Sequence, residues 1–493
     1  MIFRQLAYKL SIAVSVLALA SCTEKPADIT ACQDPAFPDG RRVISISFGP
    51  DTKITLDGLQ PVFEASDQIL ISNGTQIETC QVQIDGAGKA SISTDLTGRL
   101  RAVYPATAAL TDGNAITGIN IPATQTGLLK DAILATADIY DNSALFSCQT
   151  AILCFYVDAS IGVKSLTVSS SGMAKIATGA YGIKVDPDGD DTLISSVTIG
   201  NADSRLCYVA IRKDTYAGDL TFTAETNTQG IVTRKSPSTA TLLPGNIYDS
   251  FIPYYIKVKV SDTPETYMKW AYCNLGAFLP EEAGKYYPWA DTEGHRYNGT
   301  SFDGTISWSN YKYANGAYSE SPNVFKVFTK YVSTSDAATY WNAEGPADNK
   351  LSIEPKDDAA VAALGGNWRI PTCDEYKALA TTADKQWDTE DKGYFFGTAP
   401  ARIFLPARGY AGKNSTLETT EKAFYWSSTL TKYPGHTGDY IHSSHAFYLR
   451  FSASEAPNAY RQGVRPNGFL IRPIYIDPES LDIEDYDPIV IIE

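Results

Sequence analysis

The clearest indication of the fold is the run Val43-Ile44-Ser45-Ile46-Ser47-Phe48, which carries apolar residues at every second position from Ile44 onward. The run Leu220-Thr221-Phe222-Thr223-Ala224 has the same period. Successive side chains of a β-strand point to opposite faces, so this period is typical of a strand with one buried face. Turn-forming pairs such as Asn73-Gly74 and Asp112-Gly113 separate such runs. The first half of the chain is therefore predicted to form β-sandwiches.

The composition changes near residue 250. All seven tryptophans lie beyond this point, at Trp270, Trp289, Trp308, Trp341, Trp368, Trp387 and Trp426. Residues 357–364 are predicted to form a short helix that ends at Gly365 and Gly366. Thr372 and Glu375 have the spacing of a capping box, which predicts a second helix starting at Cys373. Alternating runs return after these helices, so the second half is predicted to be α+β.

Length, charge and cysteine content exclude several classes of protein. At about 150 residues per domain, 493 residues predict three domains. The formal net charge is −15, and no basic stripe interrupts it, so nucleic acid is excluded as a partner. The cysteines after Cys22 are odd in number and form no Cys-x-x-Cys pair, which predicts neither a disulfide framework nor a zinc site. Most of them are expected to be small buried apolar residues.

The start of the chain has the features of a secretory signal. A basic segment leads into the apolar run 10–19, which is followed by small residues and Cys22. This run is about half the roughly 20 residues that a membrane-spanning helix needs. Residues 19–22 resemble the bacterial lipobox, which implies a signal peptide at 1–21, lipidation of Cys22 and export to the outer membrane and cell surface. Residues 22–40 are predicted to be a tether.

Short motifs in the first half follow an order that resembles the fimbrillin-like pilus subunits of Bacteroidetes. Those of the first domain are Ile54-Thr55-Leu56-Asp57-Gly58, Phe63-Glu64-Ala65-Ser66-Asp67-Gln68-Ile69, Ala102-Val103-Tyr104-Pro105 and Ile121-Pro122-Ala123-Thr124-Gln125. Those of the second are Ile133-Leu134-Ala135-Thr136-Ala137, 146–155, Cys207-Tyr208-Val209-Ala210-Ile211 and Leu243-Pro244-Gly245-Asn246-Ile247-Tyr248. The resemblance implies two tandem transthyretin-like β-sandwiches, at 41–130 and 131–255.

In that family a protease removes the first strand of a lipidated precursor, and a strand from a neighbouring subunit fills the vacated groove. The resemblance implies that the removable strand holds Val43, Ile44, Ile46 and Phe48. Lys53 and Arg42 are the candidate processing sites. Lys53 stands where many relatives have arginine, which departs from the family pattern. The alternative is that this strand is permanent and the protein stays anchored.

The second half resembles the Fibrobacter succinogenes major paralogous domain over residues 263–476. The motifs that carry this resemblance are Lys269-Trp270-Ala271-Tyr272-Cys273-Asn274-Leu275-Gly276-Ala277, Gly284-Lys285-Tyr286-Tyr287-Pro288-Trp289, Asp357-Asp358-Ala359-Ala360, Gly366-Asn367-Trp368-Arg369-Ile370-Pro371-Thr372, Ile403-Phe404-Leu405-Pro406-Ala407-Arg408-Gly409-Tyr410, Tyr425-Trp426-Ser427-Ser428 and Gly468-Phe469-Leu470-Ile471-Arg472-Pro473-Ile474. The resemblance implies a C-type-lectin-like α+β fold, related to the formylglycine-generating enzymes. The predicted fold class is mainly β, with an α+β C-terminal part.

Ligand-binding residues are expected in the loop-rich insert 296–349, because loops carry binding more often than cores do. The candidates are Trp308, Tyr311, Tyr313, Tyr340 and Trp341. Core positions are expected for Trp368, Trp426, Arg369 and Arg472. No cofactor, metal site or catalytic residue is predicted, and an enzyme built on His442 and His445, expected in a loop, is the least favoured hypothesis.

The order of domains predicts a fimbrial tip subunit, an adhesin whose lectin-like domain presents the binding surface. A shaft subunit must offer its own C-terminal strand, whereas here a whole domain follows the second sandwich. The expected partners are other pilin subunits and a host or bacterial surface glycan or protein. One alternative is a permanently lipid-anchored glycan-binding lipoprotein. Another is a decorated shaft pilin, because the acidic tail 477–493 contains the β-prone run Ile489-Val490-Ile491-Ile492.

Overall fold

The computed structural model describes most of the chain from residue 41 to residue 477. The described ranges are 41–49, 61–122, 124–157, 161–170, 182–184, 193–198, 206–217, 220–235, 239–315, 319–320, 323–324, 327–412, 414–432 and 441–477. Five features lie outside them: the predicted signal peptide, the predicted lipidation site Cys22, the predicted tether, the candidate processing site Lys53 and tail residues 478–493. Among the helices of the described ranges, none has the length and apolar character needed to span a bilayer.

The chain is mainly β, as predicted. It divides into two compact units. The first comprises Met1–Asp158 and Val163–Ile252, and the second comprises Ala159–Gly162 and Pro253–Glu493. The assignment of the first unit to transthyretin-like sandwiches and of the second to a lectin-like fold stays a prediction.

The first unit contains 21 of the described strands and one short α-helix. The strands are β1 Arg42–Phe48, β2 Gln68–Ser72, β3 Ile77–Gln81, β4 Gln83–Ile84, β5 Ala90–Thr94, β6 Leu100–Tyr104, β7 Ala109–Asp112, β8 Ala115–Asn120, β9 Thr124–Gln125, β10 Ala135–Ile139, β11 Ser143–Cys148, β12 Thr150–Tyr156, β13 Val163–Ser170, β14 Gly182–Lys184, β15 Leu193–Thr198, β16 Leu206–Arg212, β17 Asp214–Ala217, β18 Leu220–Thr226, β19 Gly230–Lys235, β20 Thr239–Leu242 and β21 Ile247–Ser250. The helices are α1 Leu129–Ala132 and the 3₁₀ turn Ala106–Ala108.

An eight-stranded sheet in the order β3-β2-β6-β10-β11-β1-β5-β4 contains the strand that the alternating run 43–48 predicts. Further sheets of the unit have the orders β16-β12-β21, β19-β18-β13-β15-β9, β14-β8-β7 and β17-β20. The predicted turns are confirmed where Asn73-Gly74 follows β2 and Asp112-Gly113 joins β7 to β8, with both glycines at positive φ.

Strands β10 and β11 follow the predicted domain boundary at residue 131, but they pair with strands that precede it. Strand β10 pairs with β6, and β11 pairs with β1, so both complete the sheet of the preceding residues. Only Gln149 separates β11 from β12, which is the central strand of another sheet. The nearly continuous segment β11–β12 therefore contributes to two sheets. The order of motifs in the sequence does not reveal at which residue the hydrogen bonding changes from the first sheet to the second.

The second unit contains the remaining described strands and helices. The strands are β22 Tyr255–Asp262, β23 Glu265–Ala271, β24 Ser319–Glu320, β25 Asn323–Val324, β26 Trp368–Arg369, β27 Lys385–Asp388, β28 Gly393–Thr398, β29 Ala401–Pro406, β30 Tyr410–Ala411, β31 Leu417–Glu418, β32 Lys422–Lys432, β33 Ile441–Ser452, β34 Glu455–Val464 and β35 Ile474–Tyr475. The helices are α2 Ala337–Tyr340, α3 Ala359–Leu364, α4 Cys373–Thr381 and the 3₁₀ turns Trp308–Asn310, Thr334–Asp336 and Pro355–Asp357.

The sheets of this unit have the orders β22-β23-β35-β26, β27-β28-β29, β32-β33-β34, β24-β25 and β30-β31. Strand β22 pairs with β23 along its length, so the unit begins before the predicted domain start at residue 263. The predicted capping box is confirmed, and α4 begins at Cys373. The short helix also forms, although its α-helical part starts only at Ala359, after the 3₁₀ turn.

Candidate functional site

Strand β1, the predicted removable strand, lies inside its sheet and not at an edge. On one side it pairs in parallel with β11, and on the other it pairs antiparallel with β5. Backbone hydrogen bonds on the β11 side run from Ser45 N, in the middle of β1, to Asn142 O (2.9 Å) and from Gly49 N, just after β1, to Phe146 O (2.8 Å). The groove that β1 fills is therefore bounded by the backbone of two strands.

One face of β1 points into the core of the unit. Ile44 is 0% exposed and Ile46 is 5% exposed, whereas Ser45 and Ser47 on the other face are exposed. The two-residue period that predicts the strand thus also distinguishes its buried face from its outer face. Burying two isoleucine side chains contributes roughly 1.5–3 kcal/mol each to the stability of the unit.

Phe48 ends the buried face of β1 in a cluster of aromatic rings. Its ring stacks on Phe63, with centroids 4.3 Å apart and an interplanar angle of 15°. Tyr104 meets it edge-on at 5.8 Å, and Phe146 lies at 6.4 Å. The rings of Phe63, Tyr104 and Phe146 are all buried, so they form an apolar pocket that is filled on one side by Phe48.

The opposite end of β1 is basic, and its buried face starts with Arg42, which is 8% exposed. Its Nε donates to Asn142 Oδ1 at 2.8 Å, and its Nη1 donates to Gly98 O at 3.0 Å. Its Nη2 donates to Asp141 O. These oxygens form a cage that suits the planar, multiply donating guanidinium group.

The neighbouring Arg41 contacts acidic side chains. Its Nη2 donates to Glu78 Oε1 at 2.5 Å, and its Nε lies 3.5 Å from Asp95 Oδ1. Thr94 Oγ1 donates to the other oxygen of Glu78, Oε2, at 2.5 Å. This end of the groove is therefore electronegative, while the far end is aromatic.

The two candidate processing residues differ in what a cut would do. Arg42 lies within β1 and is buried, and a cut after it would leave residues 43–48 attached to the rest of the sheet. Of the two, Lys53 alone follows β1 in the sequence, so a cut there would leave β1 held only by noncovalent contacts. Arg42 therefore has a structural role in this geometry, and processing at either residue stays a prediction.

Three of the five aromatic residues predicted to bind a ligand are core residues. Tyr311 is 3% exposed, and Tyr313 and Tyr340 are each 7% exposed, all within one apolar cluster. This burial leaves little ring surface for a sugar to stack on, although Tyr311 borders the polar cavity described below, and a binding role for the three tyrosines stays a prediction. Trp308 and Trp341 are half-buried and pack against the same cluster. A binding role for these two tryptophans stays a prediction.

The expectation of core positions is confirmed for Trp368, Trp426 and Arg472, which are all buried. Arg472 donates to Asn274 Oδ1 at 3.0 Å and to Phe404 O at 2.7 Å. Arg369 is half-buried and forms a two-pronged pair with Glu375, with N–O distances of 2.8 and 2.6 Å. These arginines are structural in this geometry.

Arg465 is a further buried arginine, and no sequence motif indicates its importance. It is 0% exposed and its Nε donates to Tyr311 Oη at 2.9 Å. Its Nη1 donates to Ser443 O at 3.0 Å, and its guanidinium carbon lies 4.3 Å from the centroid of the Phe328 ring. Its partners come from distant parts of the chain, which explains why no local pattern indicates it.

A small polar cavity of about 210 Å³ lies beside the insert. Its lining residues are Pro288, Asp291, Glu293, His295, Thr305, Ser307, Asn310 and Tyr311. Burial raises the pKa of Asp291, and His295 Nδ1 lies 3.4 Å from Asp303 Oδ1. Across the part of the chain that the structure describes, no group of three or more His, Cys, Asp or Glu residues could hold a metal ion.

Positions 442 and 445 lie in strand β33, which corrects the expectation of a loop. Ser444 Oγ is 2.9 Å from His445 Nδ1. The six cysteines of the described ranges are buried, as predicted, at Cys80, Cys148, Cys154, Cys207, Cys273 and Cys373.

No protein-family model matches the chain, and a search of curated proteins finds no match. Among solved structures, a candidate cell adhesion protein from Bacteroides uniformis is 14% identical over 43% of this chain and 92% of its own, with a TM-score of 0.27. Another candidate from Bacteroides thetaiotaomicron is 16% identical over 42% and 91%, with a TM-score of 0.26. The tip fimbrial protein of Porphyromonas gingivalis, truncated at its C-terminus, is 7% identical over 39% and 81%, with a TM-score of 0.20. TM-scores this low do not establish a shared fold.

Proposed function

We propose that this chain is a cell-surface fimbrial subunit that joins other pilin subunits by strand exchange in the groove filled by β1. The observation that carries the proposal is the position of β1. It is internal to its sheet, yet it precedes every other strand of that sheet in the sequence. A single cut between β1 and β2 would therefore sever its only covalent link to the sheet.

The physical basis for exchange is the pairing that loss of β1 would leave unsatisfied. Backbone groups of β5 and β11 would lose their partners, and the pocket around Ile44 and Ile46 would open to water. Unpaired strand edges readily pair with another chain, and an extended segment restores both the hydrogen bonds and the apolar contacts. An emptied groove of this kind would bind an extended strand from a neighbouring subunit.

Within a fimbrium, we place the subunit at the tip as an adhesin. A second compact unit follows the first, and its proposed lectin-like fold would present the surface that meets a host or bacterial glycan or protein. The proposal gives the chain no catalytic role. In this scheme the lipid at Cys22 directs the precursor to the outer membrane and is removed together with β1.

A second candidate function follows from how firmly β1 is held. Arg42 and Ile44 are nearly or fully buried, and both edges of the strand are paired. A strand this well integrated also suits a protein that keeps its N-terminal segment, namely a permanently lipid-anchored glycan-binding lipoprotein. The shaft-subunit alternative depends on tail residues 478–493, which lie outside the described ranges.

Processing at Lys53 distinguishes the two candidates. N-terminal sequencing of purified fimbriae is expected to start at Ile54, and the Lys53→Gln variant is expected to keep β1 and to be missing from fimbriae. Lys89→Gln, which changes an exposed lysine of the same unit, serves as the control and should assemble normally. A surface form that begins at Cys22 and purifies without other pilins would refute the fimbrial proposal in favour of the anchored lipoprotein.

A further inference from the structure

We infer that the groove filled by β1 selects its occupant through four side chains spaced two residues apart: an arginine, two aliphatic residues and an aromatic residue. The inference rests on the proposed function, because it specifies which strand of another polypeptide the emptied groove would accept. In the structure the groove is occupied by β1, and the contacts of β1 define the four positions.

The arginine position is set by the cage around Arg42. Three backbone carbonyls and one amide oxygen converge there, contributed by Gly98, Asp141, Tyr140 and Asn142. Loss of β1 would leave these acceptors without their donor. A guanidinium group can donate hydrogen bonds to several of these oxygens at once. An ammonium group is a compact point charge that reaches fewer of them, and a carboxylate would be repelled.

A nearby pair of acidic side chains reinforces this preference. Glu78 and Asp95 face Arg41, the residue before Arg42, at 2.5 and 3.5 Å. Removal of β1 would leave both carboxylates without this cation at the same end of the groove. The incoming strand is therefore expected to be basic at this end.

The remaining positions are apolar. The sites of Ile44 and Ile46 are closed to solvent, so they accept aliphatic residues and exclude charged ones. At the far end, Phe63 lies 5.3 Å from Phe146 and 5.2 Å from Tyr104, measured between ring centroids, and these rings leave room for a further ring. Ser45 and Ser47 are exposed and impose no selection.

The acidic tail of this chain does not match these requirements. If Ile489 and Ile491 take the two aliphatic positions, Asp487 and Glu493 fall at the cage and at the aromatic pocket, whichever direction the tail runs. If Val490 and Ile492 take the two aliphatic positions instead, Pro488 falls at the cage or at the aromatic pocket. Proline cannot donate a backbone hydrogen bond there. The groove is therefore not expected to take its strand from this acidic tail on a second copy of the chain.

The test uses the full-length protein with the recognition sequence of a site-specific protease inserted between residues 50 and 60. After cutting, the protein is incubated with an excess of a fluorescent peptide of residues 41–49, and replacement of the cut strand is followed by anisotropy and native mass spectrometry. Matched peptides carry Arg42→Ala, Phe48→Ala or Ser45→Ala, and a further peptide contains residues 485–493. The native peptide is expected to exchange into the groove.

The substituted peptides measure how much each side chain contributes to binding in the groove. Arg42→Ala is expected to weaken binding about tenfold or more, and Phe48→Ala about a hundredfold, since hydrogen bonds from a buried charge and a ring packed against three buried rings carry energies of that size. The Ser45→Ala peptide should bind within about twofold of the native peptide. The tail peptide should bind more weakly than both the native and the Ser45→Ala peptides. Equal binding of all these peptides would overturn the inferred selectivity while leaving strand exchange intact. Failure of the native peptide to exchange would overturn strand exchange itself.

Discussion

Asp357 and Asp358 are adjacent buried acids whose pKa values shift in opposite directions. Burial opposes ionisation of Asp357, but hydrogen bonds from Lys330, Tyr313, Tyr331 and Lys312 outweigh it and hold its pKa below the usual range. For Asp358, burial dominates and raises the pKa to about 6, although backbone N–H groups of Ile370, Ala360 and Val361 partly offset it. The difference arises because Lys312 and Lys330 form ion pairs with Asp357, whereas the attraction of Arg369 for Asp358 is too weak to outweigh burial.

These shifts give a pH dependence with a definite sign. The folded state holds the proton of Asp358 more tightly than the unfolded state, whose aspartate pKa is about 4. The free energy of unfolding should therefore fall as the pH rises from about 4 to about 6 and level off above that value. Asp357 acts in the opposite sense, since its contribution is present above about pH 4 and is lost as the pH falls below it.

Asp358→Asn is expected to remove this dependence between about pH 4 and pH 6. It should also lower the free energy of unfolding by about 1–3 kcal/mol, because its amide nitrogen cannot accept the hydrogen bond from Ile370 N. Denaturation followed by tryptophan fluorescence measures both effects, since all seven tryptophans lie in the second unit. Glu344→Gln, at an exposed position, is the control. If the free energy of unfolding of Asp358→Asn still fell between about pH 4 and pH 6, the dependence would not arise from Asp358.

At the scale of elements, α4 shows what a local pattern predicts well. Thr372 Oγ1 accepts from Glu375 N at 3.2 Å, and Glu375 Oε2 accepts from Thr372 N at 2.8 Å. Both bonds join residues three positions apart, so their spacing in the sequence is enough to locate the start of the helix. The sequence does not reveal that Arg369 also binds Glu375, which ties the cap to β26.

Loss of this cap is expected to destabilise the second unit. Thr372→Ala should lower the free energy of unfolding by about 1 kcal/mol, and Thr372→Ser should restore most of it because serine keeps the hydroxyl acceptor. Thr381→Ala, at the exposed C-terminal end of α4, should change it by less than about 0.5 kcal/mol. Equal losses from Thr372→Ala and Thr381→Ala in urea denaturation would show that the cap contributes no stability of its own.

The neighbours of β1 show what a local pattern cannot predict. Its two-residue period predicts a strand with a buried face, and that face is buried. Its partners β5 and β11 lie about 50 and 100 residues further along the chain, and one of them pairs in parallel. Pairing at such separations depends on how the whole sheet assembles, so the cage around Arg42 and the pocket around Phe48 could not be anticipated.

For the whole molecule, the earliest predicted event is export with a lipid on Cys22. Cys22→Ser is expected to abolish incorporation of labelled palmitate and to remove the precursor from the outer-membrane fraction. Cys32→Ser changes a cysteine of the same segment and should leave both unchanged. Labelling of the Cys22→Ser protein, or its loss in Cys32→Ser, would contradict the assignment of the lipidation site.

The sequence by itself determined the features that depend on neighbouring residues: the β class of the first half, the turns at Gly74 and Gly113, and the start of α4. Each rests on side-chain period, positive φ or a hydrogen bond across a few positions. Only the tertiary structure decided that Tyr311 is a core residue, that Arg465 is buried against distant carbonyls, and that β1 lies between two strands. Burial and strand pairing are set by residues far apart in the chain, because they depend on which surfaces meet when the chain is compact.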